Sequence, residues 1–584
     1  MKSFPLFFLP AARPVSGTGG GCGQWTGGTA RTPRRADAVR KTAIIPALVG
    51  DSAFAPGGRL LARLATLLMA VCCFAALSAS AQLAPPKTDA LSKLEAAQNS
   101  AACSSSDASS CAQVAGKLMP IILGDSPMIE NLRRLTDEVG GRVTGTPRMA
   151  RAVEWAVAGF RAAGVNVVSE KYTLPVTWTE GATRLTISAP ASSASTDGTL
   201  RAVSVAWAPA TPRGGIEASV IDVAYGSEAE MSRAGSMQGA ILLVHSDVGS
   251  SWTDLFREYL LPPAIIRRAA KAGAAAILWT GARERLLLYR HTNSLDGEID
   301  KIPQAVVARE DALRLARLVA ANPGQVRVRL SLPNETGGPV EQENVVGEIR
   351  GYEKPDEAVI LAAHLDSWEL GSGALDDGCN AALVIEAARA IKATGVLPKR
   401  TIRFVLFTGE EQGTIGSHAY VQSHSGELEK IRAVIVFDSG SGRVTGYSLG
   451  GRADTEDALR QILRPLDSWG ATNHTADASF GTDNFDFLLE GVPTFVANQE
   501  IANYLVNYHA ASDTFDKVDA RELKMNTVIA ALTAWGIADR SEPIGKRLTR
   551  PELDALLKRT GLDGQMQLLG YWEQWQAGAR GRHP

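Results

Sequence analysis

The chain has almost no net charge: 60 Lys and Arg stand against 62 Asp and Glu, a formal balance of -2 over 584 residues. Such a balance gives no general pull toward nucleic acid or an anionic membrane, so function has to come from a local site. Long apolar runs are also scarce. Leu64 to Leu77 stands out but is too short for a comfortable membrane span, and no later stretch of about 18 or more uninterrupted apolar residues follows it. Cysteine is scarce as well, with six residues in all. If Cys22, Cys72 and Cys73 leave with a leader, Cys103, Cys111 and Cys379 remain, and three cannot all pair within one chain. Cys103 and Cys111 flank a Ser-rich loop, Ser104 to Ser110, and could close a small disulfide in an oxidising compartment or stay as two thiols.

What is present is an ordinary globular composition, 45% hydrophobic and 21% charged, in a chain long enough for two or more domains. Arg59 and Arg63 precede the apolar run, and Ala79-Ser80-Ala81 offers small residues for cleavage before Gln82. Residues 1–81 therefore read as a leader and signal peptide, and the product is expected to be secreted or periplasmic, with no membrane attachment after cleavage. The first 58 residues, rich in Gly, Arg and Pro, lack apolar periodicity and read as a misplaced start or an upstream extension.

In residues 82–185 apolar side chains recur at helical spacing: Ile129, Leu132 and Leu135, then Ala152, Trp155, Ala156 and Phe160, with a break at Gly140-Gly141. From 186 to 340 the texture changes to short apolar strands, Ala240 to Val244 and Ala274 to Trp279, with a helix from Pro263 to Ala272. Residues 341–545 alternate strand and helix. Strands are expected at Ala358 to Ala363, Thr401 to Phe407, Ala433 to Phe437 and Pro493 to Ala497. Helices are expected at Asn380 to Ala393, near Ser417 and at Leu523 to Ala538. The fold class is thus α/β, a mostly parallel mixed sheet with helices on both faces. The tail, 546–584, reads as helical at first and then loose.

Candidate ligands lie just past these strands, where open α/β sheets collect ligands. His364 and Asp366 follow the first strand, Asp376 and Asp377 sit in the Gly-rich turn Gly371 to Gly378, and Glu410 and Glu411 follow Phe407. Asp438 follows Phe437, and His509 precedes Asp513. Taken singly, each has an ordinary explanation. A lone His after a strand is usually a loop residue, Asp beside Gly is a turn signal, and paired Glu suits a helix N-terminus. Together they are an inventory for two zinc ions, which take imidazole and carboxylate ligands. If Asp376 bridges, three carboxylates set -3 against the +4 of two zinc ions, and the remaining charge would favour hydroxide over water. Glu410 cannot easily join Glu411 on a metal, because adjacent side chains diverge, and is better placed as the general base. His245, His291, His418, His424, His474 and His583 lack such company and read as surface or core residues.

The motifs His364-Leu365-Asp366-Ser367-Trp368, Gly373-Ala374-Leu375-Asp376-Asp377-Gly378 and Thr408-Gly409-Glu410-Glu411-Gln412-Gly413 resemble those of the M28 family of zinc peptidases. So do Gly481-Thr482-Asp483, Gly491-Val492-Pro493, and His509 with Asp513-Thr514. The resemblance covers roughly Ile129 to Asp539. It implies that His364 and Asp438 hold one zinc, Glu411 and His509 the other, and Asp376 both, with the Asp366 carboxylate orienting His364. Residues 186–340 are then similar to an inserted protease-associated domain. Cys379 stands where a small residue is usual, and a packed position at the helix start is the favoured reading. The resemblance implies an exopeptidase acting on small peptides, dipeptides captured at both charged ends in particular, and makes a homodimer plausible. An aminopeptidase of the same family is the alternative. A binding module that has lost catalysis and a one-zinc glutaminyl cyclase share the fold, but here no ligand and no base is substituted.

Overall fold

A computed structural model describes residues 106–189, 198–478 and 480–583. The expected leader, its cleavage before Gln82, and Cys103 lie outside these residues.

Four central strands run parallel: Arg400–Phe407, Lys354–His364, Ile431–Val436 and Thr494–Gln499, in that spatial order. Their inner stretches, such as Ala358 to Ala363 and Ala433 to Val436, are continuously apolar, as strands covered on both faces must be. Val359, Leu361 and Ala363 pack on one face and Ile360 and Ala362 on the other. Each such Val, Leu or Ile side chain contributes about 1.5–3 kcal/mol on burial. Antiparallel strands complete a seven-stranded sheet: Val340–Ile349 and Asn166–Leu174 on one side, Val444–Ser448 on the other. Asn166–Leu174 is largely exposed and carries Glu170 and Lys171, the polar character that keeps an edge strand from pairing further.

Helices Ser106–Leu123, Cys379–Thr394 and Ala520–Asp539 cover one face, and Ile415–Ser423 lies against the other. Helix Pro147–Ala162 begins where the sequence signals it, with Thr146 accepting the Met149 N–H at 3.4 Å and Pro147 at the first position. Of the Ser-rich stretch, residues 106–110 form the first turns of helix Ser106–Leu123, and Cys111 is buried.

Between strands Asn166–Leu174 and Val340–Ile349 in the chain, strands from Arg184–Ala189 to Arg327–Ser331 build a second, eight-stranded sheet. Its core strands Ile216–Asp222, Ile241–Val244, Ala276–Thr280 and Gln304–Val307 are parallel. Beside it, helix Trp252–Leu260 faces the metal centre described below. The tail is helical at first, as expected, and stays helical further along than the sequence suggests. Helices Arg550–Thr560, Leu562–Leu569 and Tyr571–Gln576 bury Leu557, Met566 and Trp575, and Arg580 pairs with buried Asp486 at 2.7 Å. Among the described residues no helix is long and apolar enough to cross a membrane.

Candidate metal centre

The carboxyl ends of the central strands deliver His364, the Glu410-Glu411 turn and Asp438 to one crevice, and two buried anchors shape the loops between them. Arg142, wholly buried, donates to the main-chain carbonyls of Leu365, Ser372 (2.9 Å) and Gly373 (3.0 Å). Asp513 accepts the N–H groups of Ala374, Leu375 and Asp376 at 3.1, 2.7 and 3.1 Å. Gly373 has φ +61°, and a Cβ there would stand 2.3 Å from the Ser367 hydroxyl. The turn therefore closes only around glycine. The Asp376–Asp377 peptide is cis.

Asp376 faces both imidazoles, with Oδ1 3.2 Å from His364 Nε2 and Oδ2 3.3 Å from His509 Nε2. Asp438 Oδ1 lies 3.4 Å from His364 Nε2, and Glu411 Oε2 lies 2.9 Å from His509 Nε2. Two donors about 2.1 Å from one tetrahedral ion stand roughly 3.4 Å apart, so these spacings suit shared ions. Each ring donates Nδ1–H to a main-chain carbonyl, His364 to Asp366 and His509 to Arg290, both at 3.1 Å. That leaves the two Nε2 lone pairs pointing at the carboxylates. Asp376 Oδ2 and Glu411 Oε1 are buried without a hydrogen-bond donor among the described residues, an expense that a cation would remove. Asp377 also comes within range, its ligand atom grouping with those of His364 and Asp438 within 4.8 Å. Its oxygens, however, already accept the His364 N–H at 3.2 Å and Asn380 Nδ2 at 2.6 Å.

The electrostatics describe a site short of positive charge. Burial disfavours an imidazolium at His509, yet Glu411 and Asp376 override it and raise the ring to about 9. Burial pushes Glu411 up to about 7. The Glu410 carboxyl is raised well above its usual range, by burial first and then by Asp438, Asp483 and Glu411. Asp366 is placed differently from the sequence reading. Its carboxylate is 3.7 Å from His364 Nδ1, beyond hydrogen-bonding distance, and instead accepts the N–H groups of Glu410 and Glu411, both at 3.3 Å. It is the Asp366 main chain that meets His364.

Asp376, Glu410, Glu411, Asp438 and His509 line one cavity of about 100 Å³. Its other walls are apolar or aromatic: Trp252, Leu255, Phe256 and Tyr259 from helix Trp252–Leu260, and Phe480, Tyr504 and Tyr508 from the metal-bearing half. Tyr259 and Tyr508 share a hydroxyl–hydroxyl bond of 2.8 Å. No Lys or Arg is among the described residues that line it.

The profile of peptidase family M28 matches residues 344–534. Carboxypeptidase Q of Rattus norvegicus is 30% identical over 417 residues, 71% of this chain and 85% of that protein. The chain belongs to peptidase family M28. Among solved M28 structures, a peptidase M28 precursor from Shewanella amazonensis SB2B superposes with a TM-score of 0.67 at 26% identity, covering 76% of this chain and all of that one. A zinc aminopeptidase from Bacillus subtilis has the same fold, with a TM-score of 0.56 at 18% identity over 72% of this chain and 98% of its own. All five candidate ligands and Glu410 of this M28 peptidase fall within the matched residues.

Other positions singled out in the sequence resolve individually. Cys379 is fully buried at the start of helix Cys379–Thr394, its thiol 3.5 Å from the Leu375 carbonyl, a packed position. Trp368 stands edge-on to His509 with ring centres 6.0 Å apart and lines a small pocket with Asp376, Glu411 and His509. Asp483 is buried behind the site and pushed up to about 8 by burial. His245, His418 and His424 pair with Asp222, Asp486 and Glu170, and His291 donates to the Glu258 carbonyl. Arg142 and the role of Asp513 had no sequence signal beyond the Gly140-Gly141 break and the motif following His509.

Proposed function

We propose that this M28 peptidase is an exported di-zinc exopeptidase of small unblocked peptides, dipeptides above all. The observation that carries the reading is Asp376 between two imidazoles whose Nε2 atoms face it, in the lining of a cavity walled by aromatic and apolar side chains. His364 and Asp438 would hold one zinc, Glu411 and His509 the other, and Asp376 both. Zinc there would polarise the scissile carbonyl and make water a nucleophile near neutral pH.

The protein's own part is proton transfer and positioning. Glu410 takes a proton from the attacking water and returns it to the leaving amine. Its carboxylate belongs to the same cavity lining as Asp376, Glu411, Asp438 and His509, within the space where the water and the scissile amide would meet. Asp366 keeps the Glu410-Glu411 main chain in place. The apolar wall excludes water and seats an apolar substrate side chain, so that binding energy orients the single amide.

A second reading, aminopeptidase action, is supported by the cavity lining, which has no Lys or Arg to meet a free carboxylate end. Relatives named carboxypeptidase Q support release of a C-terminal residue. On a dipeptide the two readings describe the same cut. Dipeptides and tripeptides, each free, N-acetylated or C-amidated, separate them. Loss of hydrolysis on blocking either end supports the dipeptidase, and indifference to C-terminal amidation with loss on N-acetylation supports the aminopeptidase. Rapid cleavage of doubly blocked peptides contradicts both.

A further inference from the structure

We propose that Arg290 is a positioning residue for the metal centre: its buried guanidinium clamps the backbone segment that aims His509. The inference rests on the reading of His509 as a metal ligand. Residues 288–290 run antiparallel to the loop that carries His509, pairing Tyr289 with Ala510. The Arg290 N–H donates to the His509 carbonyl at 2.9 Å, the Ala511 N–H donates to the Leu288 carbonyl at 3.0 Å, and His509 Nδ1–H donates to the Arg290 carbonyl at 3.1 Å. One residue thus holds both the backbone and the ring of His509, and its carbonyl selects the tautomer that leaves Nε2 free for a metal.

His509 needs that restraint. Its φ is +57°, a left-handed conformation that strains a side-chain-bearing residue and persists only where surroundings impose it. No neighbouring helix or central strand supplies the carbonyl; it comes from the segment inserted between strands Asn166–Leu174 and Val340–Ile349.

What fixes residue 290 is its side chain. The guanidinium is 0% exposed, donating through Nε to Glu369 Oε1 at 3.0 Å and through an Nη to Glu180 Oε2 at 2.6 Å. It also reaches the Ser204 carbonyl and lies 5.3 Å from the Trp178 ring centre. Glu369 follows the His364 motif in the loop between the first ligand and the Gly-rich turn, while Ser204 belongs to the inserted sheet. Arg290 therefore ties the insert, the first ligand loop and the last ligand together. A guanidinium suits this position because its planar fork serves several acceptors at once. Removing it leaves Glu180 and Glu369 facing each other without their cation and frees the 288–290 segment to shift.

The consequence is selective. His509 pairs with Glu411, so losing the clamp should weaken one of the two metal equivalents, the one that His509→Ala also weakens, while the His364–Asp438 equivalent is kept. Metal-free full-length chain is titrated with zinc against a chromophoric chelator for wild type, His509→Ala, Arg290→Met, Arg290→Lys and Glu369→Gln, with a thermal melt of each metal-free protein. In Arg290→Met the equivalent shared with His509→Ala should weaken about 10–100-fold, the usual scale for a ligand's supporting partner. Arg290→Lys should recover part of the loss, and Glu369→Gln should show a smaller loss at the same equivalent. Wild-type affinity for both equivalents in folded Arg290→Met, or an equal weakening of both, overturns the proposal. If Arg290→Met does not fold, Glu369→Gln decides, and unchanged zinc affinity there overturns it. Failure of the di-zinc reading is separate, because it appears as wild-type protein that binds fewer than two zinc ions.

Discussion

The carboxylate of Asp513 caps the main-chain N–H of Leu375 at 2.7 Å, and with it those of Ala374 and Asp376. An acid 137 residues further along the chain from Asp376 thereby holds the turn that presents Asp376 to both imidazoles. Asp513→Ala would leave three buried N–H groups unpaired, at roughly 1–3 kcal/mol each. The expected outcome is a lower melting temperature together with weakened zinc binding, read by differential scanning calorimetry and chelator competition on one preparation. Asp513→Asn, which keeps one acceptor oxygen, should fall between wild type and Asp513→Ala.

Binding and chemistry separate at adjacent residues. Glu410→Gln keeps the size and polarity of the side chain but cannot accept a proton, so zinc content should stay at the wild-type level while kcat falls about 10²-fold or more. Glu411→Gln should instead lose zinc. Elemental analysis beside steady-state kinetics distinguishes the two, and near-wild-type activity in Glu410→Gln would reassign the base.

Specificity should follow the apolar wall. Phe256 extends from helix Trp252–Leu260 into the cavity lining, so Phe256→Ala removes contact with a substrate side chain but none with the metal ligands. For dipeptides with a large apolar residue kcat/KM should fall about 10-fold or more, the scale of a lost apolar contact in a pocket, and for Gly-Gly it should barely change. An equal loss on both substrates would mean that Phe256 supports the fold rather than the substrate.

At the opposite end of the sheet, Glu357 bonds Arg432 at 2.8 Å and Arg400 at 2.5 Å. Arg432 first, then Arg400, hold its carboxyl down at about 2. A carboxyl depressed in the folded state adds stability above its unfolded pKa, about 4.3, and loses it as pH falls through the folded value. The melting-temperature gap between wild type and Glu357→Gln should therefore be constant above about pH 5 and close progressively toward pH 2. A gap independent of pH over that window would show that the ion pairs contribute nothing.

How much of this was legible in the sequence depends on what kind of contact a residue makes. His364, Glu411 and Asp438 announce themselves because each ends a strand that must be apolar on both faces. Arg142 and Arg290 leave no such trace, since they act on main-chain carbonyls that any residue provides. The Asp366 carboxylate was assigned to His364 by resemblance, whereas its oxygens cap the N–H groups of Glu410 and Glu411, a choice set by loop geometry. The later part of the tail read as loose because its helices are short and broken at Gly561 and Gly570, both with left-handed φ. Its burial comes from tertiary partners such as Phe485, whose ring meets that of the tail residue Tyr571 at 5.6 Å. Capture of both charged ends of a dipeptide was expected, but only the structure reveals that the cavity lining carries acids and aromatic rings without a cation.

The most direct test of the central claim is to strip the full-length chain of metal with a chelator, add zinc back in steps, and follow dipeptide hydrolysis. Activity should be absent at the start, rise with zinc, and level off at about two ions per chain, with His509→Ala failing to reach that plateau. A metal-free protein that hydrolyses dipeptides at the full rate would contradict the account.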